Sequence, residues 1–336
     1  MEAVSRPQPG DVLSAQEYLR GLVVRTPTLR SMALDERVNC RLVAKAECLQ
    51  RTGSFKVRGA LNRARMLSPE ARARGLLTVS AGNAALGLAF AGHVLDAGVT
   101  VVMPEDAVSA KVEGVRALGG TVVQDGVLDA AGAFRRAAQL QEEHGYTFVH
   151  PFDDPYVVAG AATATLELLE QESDIERLVV PCSGGGLLAG AILATETAGR
   201  TIEIVGVQPD VAPTIVRSLE AGEPTEVDHR LTIADGLTAP RPGRLNFDMI
   251  RSAVVRIVTV SEAAIRASVR ELTMTLKVVV EPSAAVGLAA IIDQSLGAID
   301  GVTALMLSGG NISPEVLAYC VTALPGIRYL SMAPAT

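Results

Sequence analysis

Residues 76–103 read LLTVSAGNAALGLAFAGHVLDAGVTVVM: a short apolar run, a glycine turn, an Ala- and Leu-rich helical stretch and a second apolar run. The order continues along the chain, with Leu76 to Ser80, Asn83 to Asp96, Val99 to Met103, Val108 to Leu118 and Thr121 to Gln124 alternating strand and helix. Strands covered by helices on both faces read as short continuous apolar runs, so the alternation predicts a parallel sheet flanked by helices. It returns in Arg177 to Pro181, Gly185 to Ala198, Ile202 to Val207 and Val254 to Val260. Two sheets are expected rather than one long one, and the fold class is α/β.

At 336 residues and 49% hydrophobic, the chain has room for two domains, each burying its own interior. Aromatics make up 3%, Trp is absent and glycines number 31, which favours close-packed Ala, Val, Leu and Gly over an aromatic-lined binding surface. The net charge of -7 repels phosphodiester backbones, and no run of Lys and Arg interrupts it, so no nucleic acid partner is expected. Cys40, Cys48, Cys182 and Cys320 show no CxxC pairing, and His93, His144, His150 and His229 lack ligand spacing; neither a disulfide framework nor a metal site is expected. Met1 to Gly10 carries proline and charge where a signal peptide needs an apolar block, and no apolar run reaches about 20 residues. The expectation is a soluble cytoplasmic protein with reduced thiols and no membrane partner.

Two interruptions punctuate the pattern. His150-Pro151-Phe152-Asp153-Asp154-Pro155 reads as a seam between units. Gly222-Glu223-Pro224 is a second break, and the stretch from Asp228 to Asn246 is read as a long irregular loop with a functional or capping role.

Candidate chemistry begins at Ser54-Phe55-Lys56-Val57-Arg58-Gly59-Ala60, where a helical pattern puts Lys56 at a helix entrance. A lysine amine attacks an aldehyde only when its surroundings lower its pKa, and a helix start offers positive potential and free amides for that. Lys56 is therefore the candidate to attach pyridoxal phosphate, against the plainer reading of a solvated surface charge. Cys182-Ser183-Gly184-Gly185-Gly186-Leu187 follows an apolar strand and opens a helix, so its unobstructed amides form a cup for a phosphate group, or simply a tight turn. No Lys-Ser/Thr ending follows, which disfavours a nucleoside triphosphate loop. Ser80-Ala81-Gly82-Asn83 and Ser308-Gly309-Gly310-Asn311 are further turns at strand ends. Asn83 reads either as a ligand-binding amide or as a helix N-cap. Ligands of parallel α/β sheets bind beyond the carboxyl ends of the strands, so these turns are expected to face one cleft.

These motifs, together with Thr232-Ile233-Ala234-Asp235-Gly236 and Glu281-Pro282-Ser283, give the chain a specific resemblance. In order and separation they are similar to those of the threonine dehydratase and serine racemase family, fold type II pyridoxal phosphate enzymes, from about residue 15 to about residue 315. The resemblance implies that Lys56 carries the cofactor, Phe55 packs beside its ring and Asn83 bonds its ring hydroxyl. It implies that Ser183, Gly184, Gly185, Gly186 and Leu187 hold the phosphate, that Ser308 faces the pyridine nitrogen, and that Glu281 and Gly236 line the site. Ser80, Ala81, Gly82 and Asn83 would receive the substrate carboxylate. It further implies a large cofactor-binding domain of residues 1–62 and 150–336, a small mobile domain of residues 63–149, a homodimer, and a small amino acid as substrate. Too few residues follow Ser313 for a C-terminal regulatory domain.

The implied activity is removal of the β-hydroxyl and then ammonia from a threonine- or serine-like amino acid, giving a 2-oxo acid. A serine rather than an aspartate opposite the pyridine nitrogen suits elimination over transamination, because a neutral hydroxyl does not keep that nitrogen protonated. Racemisation, other β-elimination or β-replacement on a bulkier amino acid, and a non-catalytic scaffold are the alternatives. A nicotinamide-dependent dehydrogenase is disfavoured, since no Gly-x-Gly-x-x-Gly stands at a first βα turn. Departures from the family pattern sharpen this. Ala84 and Leu86 stand where relatives carry His and Gln, which predicts tolerance of less polar side chains. Ala81 stands where racemases use a proton-carrying serine. Gln208 and Thr214 stand where some relatives hold a metal. Ala161 and Ala162 replace a more polar pair, which reads either as making the cleft less polar or as a neutral change in packing.

Overall fold

The computed structural model describes residues 5–107, 109–228, 231–253, 255–297 and 301–322. Expectations that touched Met1, Val108, His229, Val254 and the residues after Thr322 lie outside that set. Ten strands form among the described residues: β1 (Thr28–Leu29), β2 (Arg41–Lys45), β3 (Leu76–Val79), β4 (Val99–Val102), β5 (Thr121–Val123), β6 (Thr147–Phe148), β7 (Ile175–Pro181), β8 (Glu203–Pro209), β9 (Val255–Val260) and β10 (Val302–Met306). They make two sheets, one ordered β1-β2-β10-β7-β8-β9 and one ordered β5-β4-β3-β6. Every pairing is parallel except that of β1 with β2. The fold is α/β, as the alternation predicted. All residues of β3, β4 and β10 are buried, which is why these strands read as unbroken apolar runs.

The helix that starts at Lys56 (Lys56–Arg65) is held between two others. A Cβ on Gly160 of helix Pro155–Gln171 would lie 2.5 Å from the Arg58 carbonyl, and one on Gly87 of helix Asn83–Leu95 would lie 3.0 Å from the Lys56 carbonyl carbon. Side chains at either position would push the lysine-bearing helix away, so close packing fixes where Lys56 starts. Helix Pro155–Gln171 is itself started firmly, with Pro155 in its first turn and the Asp154 carboxylate accepting from the Tyr156 and Val157 amides at 2.8 and 3.1 Å.

Three sequence expectations are corrected here. Asn83 is not a cap, since Gly82 occupies that position and Asn83 begins the helix. The irregular stretch from Asp228 is shorter and less irregular than read: it contains a 3-10 turn at Asp235–Leu237 and gives way to helix Arg244–Ser252 before Asn246. Ala161 and Ala162 do not face the cleft. They are 2% and 0% exposed and pack where Gly190 admits their helix, so small side chains there serve helix contact rather than cleft polarity.

Candidate active site

The turns after β3, β7 and β10 lie at the carboxyl ends of their strands and open onto one cleft of about 600 Å³. Its lining holds Phe55, Lys56, Ser80, Ala81, Gly82, Asn83, Ser183, Gly184, Gly185, Gly186, Leu187, Gly236, Glu281 and Ser308, the residues the sequence had singled out. They come together because the chain is stitched across the sheets. The Phe55 amide donates to the Ser308 carbonyl at 3.0 Å, Gly310 to Gly53 at 2.8 Å, and Glu281 to Gly309 at 3.1 Å. The Asn311 amide donates to Thr52 O at 2.8 Å and to Asn83 Oδ1 at 2.7 Å, while Asn83 Nδ2 donates to Glu281 Oε1 at 2.7 Å.

Lys56 Nζ donates to the Pro151 carbonyl at 2.9 Å and stands 5.2 Å and 5.9 Å from the Phe55 and Phe152 ring centroids. Burial lowers its pKa to about 8, with the Glu281 charge opposing the shift. The cause differs from the one read in sequence, where a helix entrance was held responsible: loss of water around the ammonium dominates. Cofactor uptake by protein free of it is therefore expected to accelerate as pH rises toward and through about 8, as the neutral amine becomes available. Stopped-flow absorbance measures it, and a rate flat from about pH 6 to 9 would contradict the assignment.

Burial also pushes the Glu281 carboxyl up to about 7, with Asp235 raising it further and Asn83, Lys111 and Lys56 opposing. Nearby, burial lowers the His150 imidazole to about 4, against Asp153. His150 is thus neutral at ordinary pH, and its Nδ1 accepts from the Phe152 and Asp153 amides at 3.3 and 2.8 Å. That acceptor shapes the turn whose Pro151 carbonyl holds Lys56.

The structure passes a direct test for a phosphate-bearing group. Gly184, Gly185, Gly186 and Leu187 are buried, and among the described residues no protein acceptor meets their backbone N–H groups. Buried amides without partners at a helix start match a phosphate's oxygens. The loop is rigid: Asn246 Nδ2 and the Gly243 amide both donate to the Gly184 carbonyl, at 2.9 and 3.1 Å, and Ser183 Oγ accepts from the Ala239 amide at 3.0 Å. Gly185 has φ +91, and a Cβ there would lie 2.9 Å from Asn246 Cβ. Gly185→Ala is expected to cost about 1–3 kcal/mol in strain and to weaken cofactor binding about tenfold. Titration by fluorescence or absorbance checks this, and unchanged affinity would count against the loop's role.

The remaining expectations sort cleanly. Ala84 lines the cleft, but Leu86 does not: it points toward Gly114, where an added Cβ would meet its Cδ2 at 2.8 Å. Only one of the two apolar replacements therefore reaches the cleft. Gln208 is spent internally, donating to Thr214 Oγ1 at 3.0 Å and accepting from the Ile215 and Val216 amides. Among the described residues no cluster of three His, Cys, Asp or Glu side chains is arranged for a metal. No helix among them is long and apolar enough to cross a membrane.

Sequence reading missed Phe152, Lys111 and the cleft-facing carboxylate of Asp235. Phe152 sat inside what was read as a seam. Lys111 carried one available signal, being one of four lysines in the whole chain.

Comparison with known proteins agrees with this geometry. The family model described as pyridoxal-phosphate dependent enzyme matches residues 19–309. The L-threonine ammonia-lyase of Thermotoga maritima is 38% identical over 308 residues, covering 91% of this chain and 76% of that protein. The crystal structure of a T.th. threonine deaminase superposes with a TM-score of 0.86 at 42% identity, covering 91% of this chain and 99% of that one. Maize serine racemase superposes with a TM-score of 0.89 at 33% identity, covering 94% and 97%.

Proposed function

The chain belongs to the pyridoxal-phosphate dependent enzyme family, and from that membership we propose that it is a lyase removing water and then ammonia from a threonine- or serine-like β-hydroxy amino acid, to leave a 2-oxo acid. The observation that carries the reading is the cleft itself, where a half-buried lysine with pKa about 8 shares one cavity with partnerless buried amides and with Ser308.

When bound, pyridoxal phosphate would supply an electron sink for the electron pair left as the Cα–H bond of the amino acid breaks. The chain's residues do the rest. Amides from Gly184 to Leu187 would anchor the phosphate, Phe55 and Phe152 would wall the ring, and Asn83 would address its hydroxyl, all of them lining the cleft. Ser308 would offer a neutral hydroxyl to the ring nitrogen. The turn from Ser80 to Asn83 receives the substrate carboxylate. Lys56 Nζ, neutral above about pH 8, takes the Cα proton. That proton serves the departing hydroxyl, which leaves as water, and hydrolysis of the unsaturated amine releases ammonia and the 2-oxo acid.

Ala81 in the cleft bears on the racemase alternative, since a methyl group carries no proton to the opposite face. The apolar Ala84 supports acceptance of larger or less polar side chains than that of serine. The test is a panel of L-serine, L-threonine and L-phenylserine assayed for 2-oxo acid and ammonia. Threonine or phenylserine is expected to exceed serine in kcat/KM, with no D-isomer formed. A strong serine preference would count against the specificity, and D-isomer from a pure L-amino acid against the reaction.

The reading extends to organisation. A smaller unit, residues 63–149, moves against residues 1–62 and 150–336, supported by the separate four-stranded sheet β5-β4-β3-β6. A homodimer is part of the proposal and is tested by sedimentation. A cytoplasmic setting is supported by Cys40, Cys48, Cys182 and Cys320, all free and buried.

A further inference from the structure

The charged side chains lining the cleft are unevenly balanced. Asp106, Asp235 and Glu281 are acidic, while Lys56 and Lys111 are the cations among the described lining residues. With Lys56 committed to the cofactor, Lys111 is the remaining positive charge. A carboxylate entering beside Asp106 and Asp235 is repelled unless a cation faces it.

Lys111 is placed for that task. It extends from helix Ser109–Ala117, which packs beside the four-stranded sheet, and its side chain is 17% exposed. Its Nζ reaches across the cleft to Asp235 Oδ2 at 2.6 Å, on the 3-10 turn of the opposite wall. A Cβ built on Gly82 would lie 3.9 Å from the same Nζ, so the ammonium stands over the turn from Ser80 to Asn83. That turn contributes no charge of its own. Asp235 is 57% exposed, and an ion pair with one partner largely in water is held loosely and exchanges its anion readily.

We propose that Lys111 binds the α-carboxylate of the incoming amino acid, Asp235 serving as the anion it releases when substrate arrives. This rests on the reading that the cleft takes an amino acid whose carboxylate meets the turn from Ser80 to Asn83, and adds to that turn a cation from the same smaller unit. The exchange couples substrate entry to the two walls, because the ammonium that takes the carboxylate gives up its ion pair with Asp235 on the opposite wall.

The experiment uses cofactor-loaded protein and L-alanine, which has no β leaving group, followed by the change in cofactor absorbance. L-Alaninamide, lacking the carboxylate charge, is the control ligand. Lys111→Met is expected to weaken alanine binding about tenfold or more while altering alaninamide binding less than about twofold, with cofactor affinity unchanged. Lys111→Arg is expected to stay within about threefold of the parent for alanine, and Asp235→Asn to bind alanine more tightly by about twofold or more. Unchanged alanine binding in Lys111→Met, an equal loss for acid and amide, or weaker binding in Asp235→Asn would overturn the proposal. Parent protein that binds alanine but fails to turn over any β-hydroxy amino acid would sink the proposed reaction and leave the carboxylate subsite to be decided by these variants.

Discussion

Lys56→Ala is expected to slow elimination by roughly 10³- to 10⁴-fold and to remove the absorbance that marks lysine-bound cofactor. Both losses follow from one side chain. Lys56 is the half-buried lysine of the cleft, its pKa brought to about 8 by loss of water, and its Nζ is the group placed to accept the Cα proton. Phosphate binding should survive, because the glycine loop is held by Asn246, Gly243 and Ala239 rather than by the lysine. The variant should therefore still bind cofactor, without a covalent bond. Absorbance spectra and a 2-oxo acid assay read the two effects separately, and a variant that kept full activity would contradict the scheme.

Arg58→Ala, two residues further on, is expected to destabilise the protein by about 3–5 kcal/mol, read by urea denaturation. Arg58 is fully buried. It donates to both oxygens of Glu47, each at 2.8 Å, to both oxygens of Glu167, each at 2.8 Å, and to Thr163 Oγ1 at 3.2 Å. Removing it leaves two buried carboxylates facing a single ammonium, Lys45, which also serves Thr26 O and Gln171. The cost is that of stranded charge rather than of one lost contact.

The same cluster fixes a sign for pH. Burial alone would raise the Glu47 carboxyl, but the Arg58 charge and hydrogen bonds outweigh it and hold the group below the ordinary carboxylate value. A depressed folded pKa contributes stability above the unfolded value and loses it as pH falls through the folded one. The parent protein should therefore lose stability on acidification below the carboxylate range. Arg58→Ala should instead recover part of its loss as acid neutralises the stranded carboxylates, and the same acid dependence in both proteins would contradict this.

The sequence displayed the fold through its apolar runs, because strands buried on both faces leave no polar alternation to confuse them. Loops that position backbone atoms were less legible. The Pro151 carbonyl that holds Lys56 and the Phe152 ring against the glycine loop belong to a turn whose prolines and aspartates read only as an interruption. The lysine was found, but the cause of its altered acidity was not, since burial is a property of the packed helices around Gly87 and Gly160. Leu86, Ala161 and Ala162 show the converse. Their sequence positions pointed to the substrate, yet helix geometry turns them into packing contacts. Lys111 escaped notice because nothing local to it marks the cleft; only the approach of Asp235 from the opposite wall does.

The chain has four lysines, Lys45, Lys56, Lys111 and Lys277, so attachment of the cofactor can be assigned without ambiguity. Borohydride reduction of the cofactor-loaded protein, followed by peptide mass spectrometry, is the direct measurement. The label is expected on the peptide containing Lys56 alone. A label on any of the other three lysines, or no label on protein that has taken up the cofactor, would contradict the account.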